Sequence, residues 1–491
     1  MNSDFQLDQF IQQAPSAPSG VSSKASCGST AGTVLVVCPS HRDRRELAIL
    51  ADASRYRLLF HDYASIELEE MVAPAPKHVA AGPVHEEVER IVAAAVCAGV
   101  DAVVSTDDYP GSTLAAIVAQ RLGLPGTPVV ADLLCQHKYQ SRLIQQRAQP
   151  DAVPPFALLE RGVAPELPFP FFIKPVKSFF SVGAYQVDDA QALRVLVPRA
   201  TLPEAFFEPL NALLERYAGI PSGLTNVLAE GLLTGSQATF EGFAFEGHVH
   251  PVGVVDSVMF PGSLAFEKFE YPSALPQAVQ DRMAGVAARV MKAAGFTHGL
   301  FNIEFCYDSQ HDRLAIVEIN PRMASQFADL YEKVDGFSTY SLLLDLALNR
   351  RPTLRHGAGR RAAAASCVLR RFEDARVLTC PSDDELQSIR QAHPDARIEV
   401  LASPSEHLSQ QLQDGCSFRY GIVSVGGGSR EEVLAIFDWC RRRLTFTFER
   451  PASPIAVPHV APLPARTPAQ RTPAQRARHG GATAAPIGDI K

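Results

Sequence analysis

Residues 301–322, FNIEFCYDSQHDRLAIVEINPR, constrain this chain more than any other stretch. Two runs of alternating residues flank a polar turn at 308–312, which predicts a β-hairpin. A tight loop centred on His311 places Glu304 opposite Glu318 and Asn302 opposite Asn320. Residues two apart share a sheet face, so these four polar side chains project together. Ile303, Phe305, Val317 and Ile319 project the other way, into a core. Like charges directly opposite each other are unfavourable on a sheet. A cation would neutralise the pair, and hard oxygen ligands on a rigid surface suit Mg²⁺. The bland alternative is an edge hairpin whose acidic face meets water. Arg322 follows, held by Pro321, and is placed to bind a carboxylate or a phosphate.

Ahead of the hairpin, strands alternate with helices. Residues 33–38 (TVLVVC), 57–61 and 101–105 (DAVVS) predict strands, with helices from His41, over 84–99 and over 111–124. A short strand is expected at 128–130, then one helix from 131 to 147. This alternation implies parallel βαβ units in a doubly wound sheet. No G-x-G-x-x-G follows any of these strands and no G-x-x-x-x-G-K-[ST] occurs, which disfavours Rossmann dinucleotide binding and P-loop chemistry.

Composition narrows the class further. At 491 residues the chain is long enough for three domains, and its formal charge of −7 argues against a general nucleic-acid binder. Nine cysteines without a C-x-x-C pair make neither a zinc nor a disulfide framework, so a reducing cytoplasm is expected. The start MNSDFQLDQF has no signal-peptide pattern, and the longest apolar run, 91–100, is too short to span a bilayer. No membrane partner is expected.

Two lysines and a loop stand out between the α/β segment and the hairpin. Lys138, in HKYQSRLIQQ, lies on a helix where a solvated face is the ordinary fate of lysine. Lys174 ends the apolar strand FFIK and needs an anion or water. The segment after it, KSFFSVGA at 177–184, is a small-residue loop of the kind whose backbone N–H groups line phosphates.

Taken in order, these residues resemble the ATP-grasp superfamily of carboxylate–amine or carboxylate–thiol ligases, including L-amino acid ligases and biotin carboxylase. E…E-I-N-P-R is similar to the family's metal-binding end, which implies Glu304, Glu318 and Asn320 as ligands of Mg²⁺ (or Mn²⁺) bridging the phosphates of ATP. H-K-Y-Q-S-R resembles the family's D-K-x-x-x-R, which implies that Lys138 reaches the phosphates although the acid is missing. F-F-I-K-P is similar to F-x-I-K-P, whose lysine, here Lys174, contacts the α- and β-phosphates. The loop is poorer in glycine than in many relatives; Ser178, Ser181 and Gly183 are its phosphate candidates, and Phe179 and Phe180 would cap the site. VLAEGL at 227–232 resembles the adenine linker, implying the Glu230 carbonyl and the Leu232 N–H as adenine contacts, with Ala229 where an acid is usual. GSQATFEGFAF resembles the G-x-E-x-S-V-E-G strand, so Gln237 and Glu241 meet ribose or substrate, or merely the solvent side of a strand. Residues 260–272 either line an acceptor pocket or leave Lys268 on the surface. Met323-Ala324-Ser325-Gln326 replaces the family's common glycine pair, which implies a reshaped substrate side.

The resemblance implies an α/β fold of the ATP-grasp α+β type. It divides the chain into a disordered 1–31, an N-terminal parallel α/β domain at 32–135, and a two-lobed ATP-grasp domain at 136–350 whose small lobe is 171–232. A C-terminal α/β subdomain follows at 351–450, then a disordered Pro/Ala/Arg-rich tail at 451–491 containing a tandem T-P-A-Q-R. Gly426-Gly427-Gly428 reads as a turn before an N-cap at Ser429, not as a phosphate loop. The implied chemistry is ATP-dependent joining of a carboxylate, such as an amino acid, to an amine through an acyl phosphate, releasing ADP and phosphate. Arg322 and Lys174 are the catalytic candidates. The partners are small-molecule carboxylate and amine substrates, and a homodimer is compatible with similar enzymes. A biotin-carboxylase-type enzyme and a non-catalytic ATP-binding module are the alternatives, and a thiol or hydroxyl acceptor stays open.

Overall fold

The first strand, β1 (Gly32–Val37), is almost wholly buried because parallel strands flank it on both edges. Its neighbours are β2 (Tyr56–His61) and β3 (Ala102–Val104), in the order β2-β1-β3, with α1 (His41–Ile49), α2 (Val84–Ala98) and α3 (Gly111–Leu122) between and after them. Helix α1 starts where Ser40 and Asp43 form a capping box. The computed structural model describes residues 32–50, 53–62, 84–159, 165–179, 181–221, 226–410 and 417–449. The segments expected to be disordered, 1–31 and 451–491, and the candidate cap Phe180 lie outside the described residues.

The expected strand at 128–130 is absent. Residues Val129–Gln136 form helix α4, and Lys138–Ala148 form a separate helix, α5. Pro128 at the N-cap suits a helix start, and the unbroken burial of Ala131 to Gln136 follows no strand alternation. His137 breaks the pair: its ψ of 104° leaves the helical region, and its ring nitrogen accepts from the Gln140 N–H at 3.4 Å.

The small lobe is a four-stranded sheet of β4 (Phe156–Leu158), β5 (Phe171–Pro175), β6 (Tyr185–Val187) and β7 (Val227–Gly231), in the order β4-β7-β5-β6. It therefore takes in residues ahead of the expected boundary at Phe171. Helices α6 (Ala190–Ala200) and α7 (Glu204–Ala218) belong to the same segment.

The large lobe is built on an eight-stranded sheet. Strands β8 (Ser236–Phe245), β9 (His248–Met259) and β10 (Phe266–Tyr271) are followed by helix α8 (Gln277–Ala293) and then by the hairpin, β11 (Gly299–Asp308) and β12 (Arg313–Asn320). Helices α9 (Ala328–Asp335) and α10 (Thr339–Ala347) lead to β13 (Ala363–Arg371), and then, past β14 (Val377–Thr379) and α11 (Asp383–Ala392), to β15 (Arg397–Val400) and β16 (Phe418–Gly427). The order β12-β11-β8-β9-β10-β13-β16-β15 makes the expected C-terminal subdomain a continuation of the hairpin's own sheet. Ser429 caps α12 (Arg430–Arg441) by accepting from the Glu432 N–H as expected, but Gly426 and Gly427 are the end of β16, opposite Ala364 and Ala363, so only Gly428 lies between the strand and that cap. Among the described residues, no helix is long and apolar enough to cross a membrane.

The hairpin keeps the expected register at Asn302↔Asn320, Ile303↔Ile319 and Glu304↔Glu318. A bulge then shifts it, so that Phe305 faces Ile316 rather than Val317. Ile303, Phe305 and Ile319 are buried as expected, but Val317 is only half-buried and Ile316 fills the core instead. Opposed residues of an antiparallel sheet share a face, so the ladder puts Glu318, Glu304 and Thr239 in one row. Asn320, Asn302 and Glu241 make the next row on the same face.

Candidate nucleotide and metal site

The hairpin's polar face meets three elements that carry cations. Lys138, at the first position of α5, donates its backbone N–H to the Val176 carbonyl at 2.8 Å, which ties α5 to the end of β5. Its ammonium lies 2.9 Å from Glu318. Lys138 is 8% exposed, so the solvated-face alternative fails. Lys174, on β5, lies 2.7 Å from the Glu230 carboxylate. Arg322 reaches Asp108 at 3.5 Å and its own Met323 carbonyl at 3.3 Å. Glu304 accepts from the Gln237 amide at 2.8 Å, which places Gln237 on the carboxylate face.

The two opposed carboxylates are unequal. Burial, and then the charge of Glu318, pushes Glu304 above the ordinary carboxylate range. Burial pushes Glu318 the same way, but Lys138 and Lys174 outweigh it and hold Glu318 down. Burial also lowers Lys174, against the pull of Glu230. Asn320 is the third candidate ligand. Its Nδ2 donates to Asn302 Oδ1 at 3.0 Å, and Asn302 Nδ2 donates in turn to the Arg322 carbonyl at 2.9 Å. Asn302 thus orients the Asn320 amide and leaves its oxygen for a cation. Two carboxylates and an amide oxygen fit a hard divalent ion that takes its remaining ligands from phosphate and water. Among the described residues, no group of three or more His, Cys, Asp or Glu could hold a metal unaided.

Several expectations are corrected here. Glu230 was expected to offer its carbonyl to adenine. Instead β7 runs between β4 and β5, with Glu230 opposite Phe156 and Phe172. The Val176 N–H binds the Asn226 carbonyl, and alternation along the ladder then turns the Glu230 backbone towards Phe172. Its side chain does more than the linker suggested: the carboxylate bridges Lys174 and Arg142, the latter at 2.5 Å, and these cations hold it near 2 against the upward push of burial. Leu232 lies just past the strand and is half-buried. Glu241 is fully buried, too enclosed for ribose; it accepts from the Ala324 N–H at 2.8 Å and so pins the turn after Arg322. Burial raises its carboxyl to about 8.

The loop after β5 is more packed than expected. Ser178 is half-buried, and Ser181 is exposed with φ at 63°. Gly183 has φ at 75°, and a Cβ there would lie 2.8 Å from Pro175, so its glycine serves the turn and its close packing. Phe179 sits edge-on against Phe206 of α7, in the core rather than over the cleft. Lys268 lies on the opposite sheet face from Gln237 and Thr239 and pairs with Glu270 at 3.1 Å, so it lines no part of this site.

Three residues were given no role from the sequence, although Arg142 is the arginine of H-K-Y-Q-S-R. Arg142 is 2% exposed; besides Glu230 it binds Gln145 and the carbonyls of Ile316 (3.0 Å) and Val317 (2.8 Å), fastening α5 to the hairpin bulge. Lys177 is fully buried and donates to Asp108 (2.8 Å) and Gln136 (2.6 Å). Asp108 follows the C-terminal end of the parallel strand β3, where open α/β sheets place ligands, and that position was the available signal. Although burial opposes it, Lys177 and Arg322 keep Asp108 ionised well below the usual carboxylate range.

The family model of the ATP-grasp domain matches residues 167–329, which run from the start of the small lobe through the hairpin to α9. The chain contains an ATP-grasp domain. Over 350 residues it is 28% identical to carnosine synthase 1 of Gallus gallus, covering 67% of this chain and 35% of that protein. Over 161 residues it is 28% identical to a D-alanine–D-alanine ligase of Acidiphilium cryptum (strain JF-5), covering 33% of this chain and 48% of that one. The matches thus span less than half the length of these curated relatives. Its fold is similar to that of an L-amino acid ligase from Bacillus licheniformis, with a TM-score of 0.62 and 17% identity over 86% of this chain and all of that one. It is also similar to a biotin carboxylase from Campylobacter jejuni, with a TM-score of 0.58 and 15% identity over 85% of this chain and 93% of that one.

Proposed function

We propose that this ATP-grasp protein is an ADP-forming ligase that joins the carboxylate of an amino acid to an amine through an acyl phosphate. One observation carries the reading: the charges of Lys138, Lys174 and Arg322 converge on the opposed pair Glu304–Glu318, with Lys138 paired to Glu318 while Glu230 and Asp108 hold Lys174 and Arg322. ATP with Mg²⁺ brings the complementary charges and would replace those internal pairs on binding. The likeness to proteins named carnosine synthase, D-alanine–D-alanine ligase and L-amino acid ligase supports an amino-acid substrate.

Mg²⁺ would be held by Glu304, Glu318 and the Asn320 oxygen, and would supply charge neutralisation at the phosphate oxygens. Phosphoryl transfer rests mainly on positioning and electrostatics. Lys138 and Lys174 bind phosphate oxygens, and the Arg142–Glu230 pair keeps Lys174 in place. Arg322 orients the substrate carboxylate, whose oxygen bonds to the γ-phosphorus as the bond to ADP breaks. The amine nitrogen then bonds to the acyl carbon, phosphate leaves, and the nitrogen loses a proton. The substrate itself supplies the nucleophile in each step.

The test is ATP-dependent phosphate release with Mg²⁺ over pools of amino acids, with mass spectrometry of the products. Release requiring two substrates, with a product mass equal to their sum less water, supports the reading. Release that requires bicarbonate and biotin, or ATP binding without ADP formation for any pool, overturns it.

A further inference from the structure

Asp108 stands in the loop between β3 and α3, outside the ATP-grasp match, and faces the cleft. Its Oδ1 accepts from the Lys177 ammonium at 2.8 Å and from the Tyr109 N–H at 2.9 Å. Lys177 is held in turn: it also donates to Gln136 at 2.6 Å, and the Gln136 amide donates to the Ser112 hydroxyl at 2.8 Å. With Oδ1 engaged in this way, Oδ2 meets the Arg322 guanidinium at 3.5 Å, long for a charged hydrogen bond. Both side chains stay partly open, at 19% for Asp108 and 22% for Arg322. Arg322 also lines a cavity of about 60 Å³ between β3, α3, the start of β11 and α10, walled by Val104, Ser105, Ser112, Leu300 and Leu346. That volume takes about four water-sized atoms.

Resting on the ligase reading, we propose that Asp108 binds the ammonium of the carboxylate substrate while Arg322 binds its carboxylate, so that the acyl donor is a small amino acid whose amine is free. Opposite charges 3.5 Å apart are the counterpart of a zwitterion, whose own charges are separated by one or two carbons. Laid against each other, the groups alternate in sign: guanidinium, carboxylate, ammonium, carboxylate. Although burial opposes it, Lys177 and Arg322 keep Asp108 ionised, so it holds an ammonium without taking its proton. An amine held in this way is no nucleophile. The amine that attacks the acyl phosphate has to lose its proton, and it therefore belongs to the other substrate. The donor's side chain has the cavity beside Arg322, whose apolar groups and serine hydroxyls suit a short chain such as that of alanine or serine.

The experiment uses hydroxylamine as the acceptor, because it traps an activated carboxylate as a hydroxamate whatever the natural amine. Each standard amino acid is compared with its deamino and N-acetyl analogues (propionate and N-acetylalanine for alanine), in wild type and in Asp108→Asn. The readouts are hydroxamate and phosphate formed with ATP and Mg²⁺, as kcat and KM for each acid. Wild type is expected to prefer free amino acids over both analogues by about a hundredfold in kcat/KM, and short side chains over long ones. Asp108→Asn keeps an acceptor for Lys177 and removes the charge. It is expected to cut the preference for the free amine by about tenfold or more, through KM of the amino acid rather than kcat. The wild-type comparison needs no variant, so it decides the matter even if Asp108→Asn fails to fold. A wild type that activates deamino acids as readily as amino acids, or a folded Asp108→Asn that keeps the wild-type preference, overturns this inference alone, and a preference for the bulkiest side chains overturns the role given to the cavity. A wild type that activates no carboxylate overturns the ligase reading first, and this inference with it.

Discussion

Glu304 and Glu241 stand on the same face of the same sheet, in adjacent rows of one ladder, and burial raises the carboxyl of each. They do different work. Glu304 opens to the cleft, beside Gln237 and opposite Glu318, with Lys138, Lys174 and Arg322 close enough to act on it. Glu241 is sealed beneath the turn after Arg322, holding the Ala324 N–H, with Tyr331 packed against the bare Cα of Gly253 on the next strand. A Cβ at Gly253 would lie 2.7 Å from the Tyr331 ring, so the absence of a side chain there lets the cover close. Alternation decides which face a residue takes; the segment lying over it decides whether that residue meets ligand or protein.

The strongest way to break the comparison is to remove the cleft carboxylate. On the proposed ligase reading, Glu318→Ala is expected to reduce ATP-dependent phosphate release by about a thousandfold or more while circular dichroism stays native, since phosphoryl transfer rests on charge neutralisation. Near-native turnover would refute the metal assignment. Arg142→Met sharpens it by leaving the Glu230 carboxylate short of one buried partner. Stability should fall by about 3–5 kcal/mol in denaturant titration, and an unchanged midpoint would deny Arg142 its structural role.

Glu241 provides a pH test. Its carboxyl rises from 4.5 to about 8, so between those values the folded protein keeps a proton that the unfolded chain releases. Its contribution is best below pH 4.5 and is lost as the pH rises towards 8. Asp132, raised by burial to about 7, acts in the same direction. Glu241→Gln keeps an acceptor for Ala324 but carries no charge. At pH 8 it should melt higher than wild type by on the order of 2–5 °C, with a flatter pH profile. Equal profiles would mean that Glu241 folds without a raised carboxyl. The smallest effect belongs to Lys268→Met, on the opposite face, which should change KM for ATP and for acceptors less than twofold; a tenfold change would return Lys268 to the site.

The hairpin register was legible because a polar turn and strict alternation leave little freedom, and the structure keeps Glu304 opposite Glu318. The bulge at Val317 was not legible: it is held by Arg142, which comes from a helix far away in sequence. Lys138 and Lys174 were recognisable by their local patterns, and both end beside carboxylates. Lys177 was missed because a buried ion pair between two loops leaves no mark in its own segment, and Asp108 had only its place after β3 to mark it. The strand expected at 128–130 became helix because a short apolar run after proline suits both, and packing chose between them.

By itself, the sequence determined the alternating α/β segment and the hairpin with its carboxylate face, and its order of cations carried the resemblance to the ATP-grasp family. These depend on periodicity and spacing, which are properties of neighbouring residues. Only the tertiary structure decided that Glu241 is sealed, that Glu230 anchors Lys174, that Lys268 faces away, and that Arg42 and Ser366 reach the turn beyond Arg322. Each of those depends on which distant segment comes to lie over which face, and burial and charge pairing across such contacts are set only when the chain closes on itself.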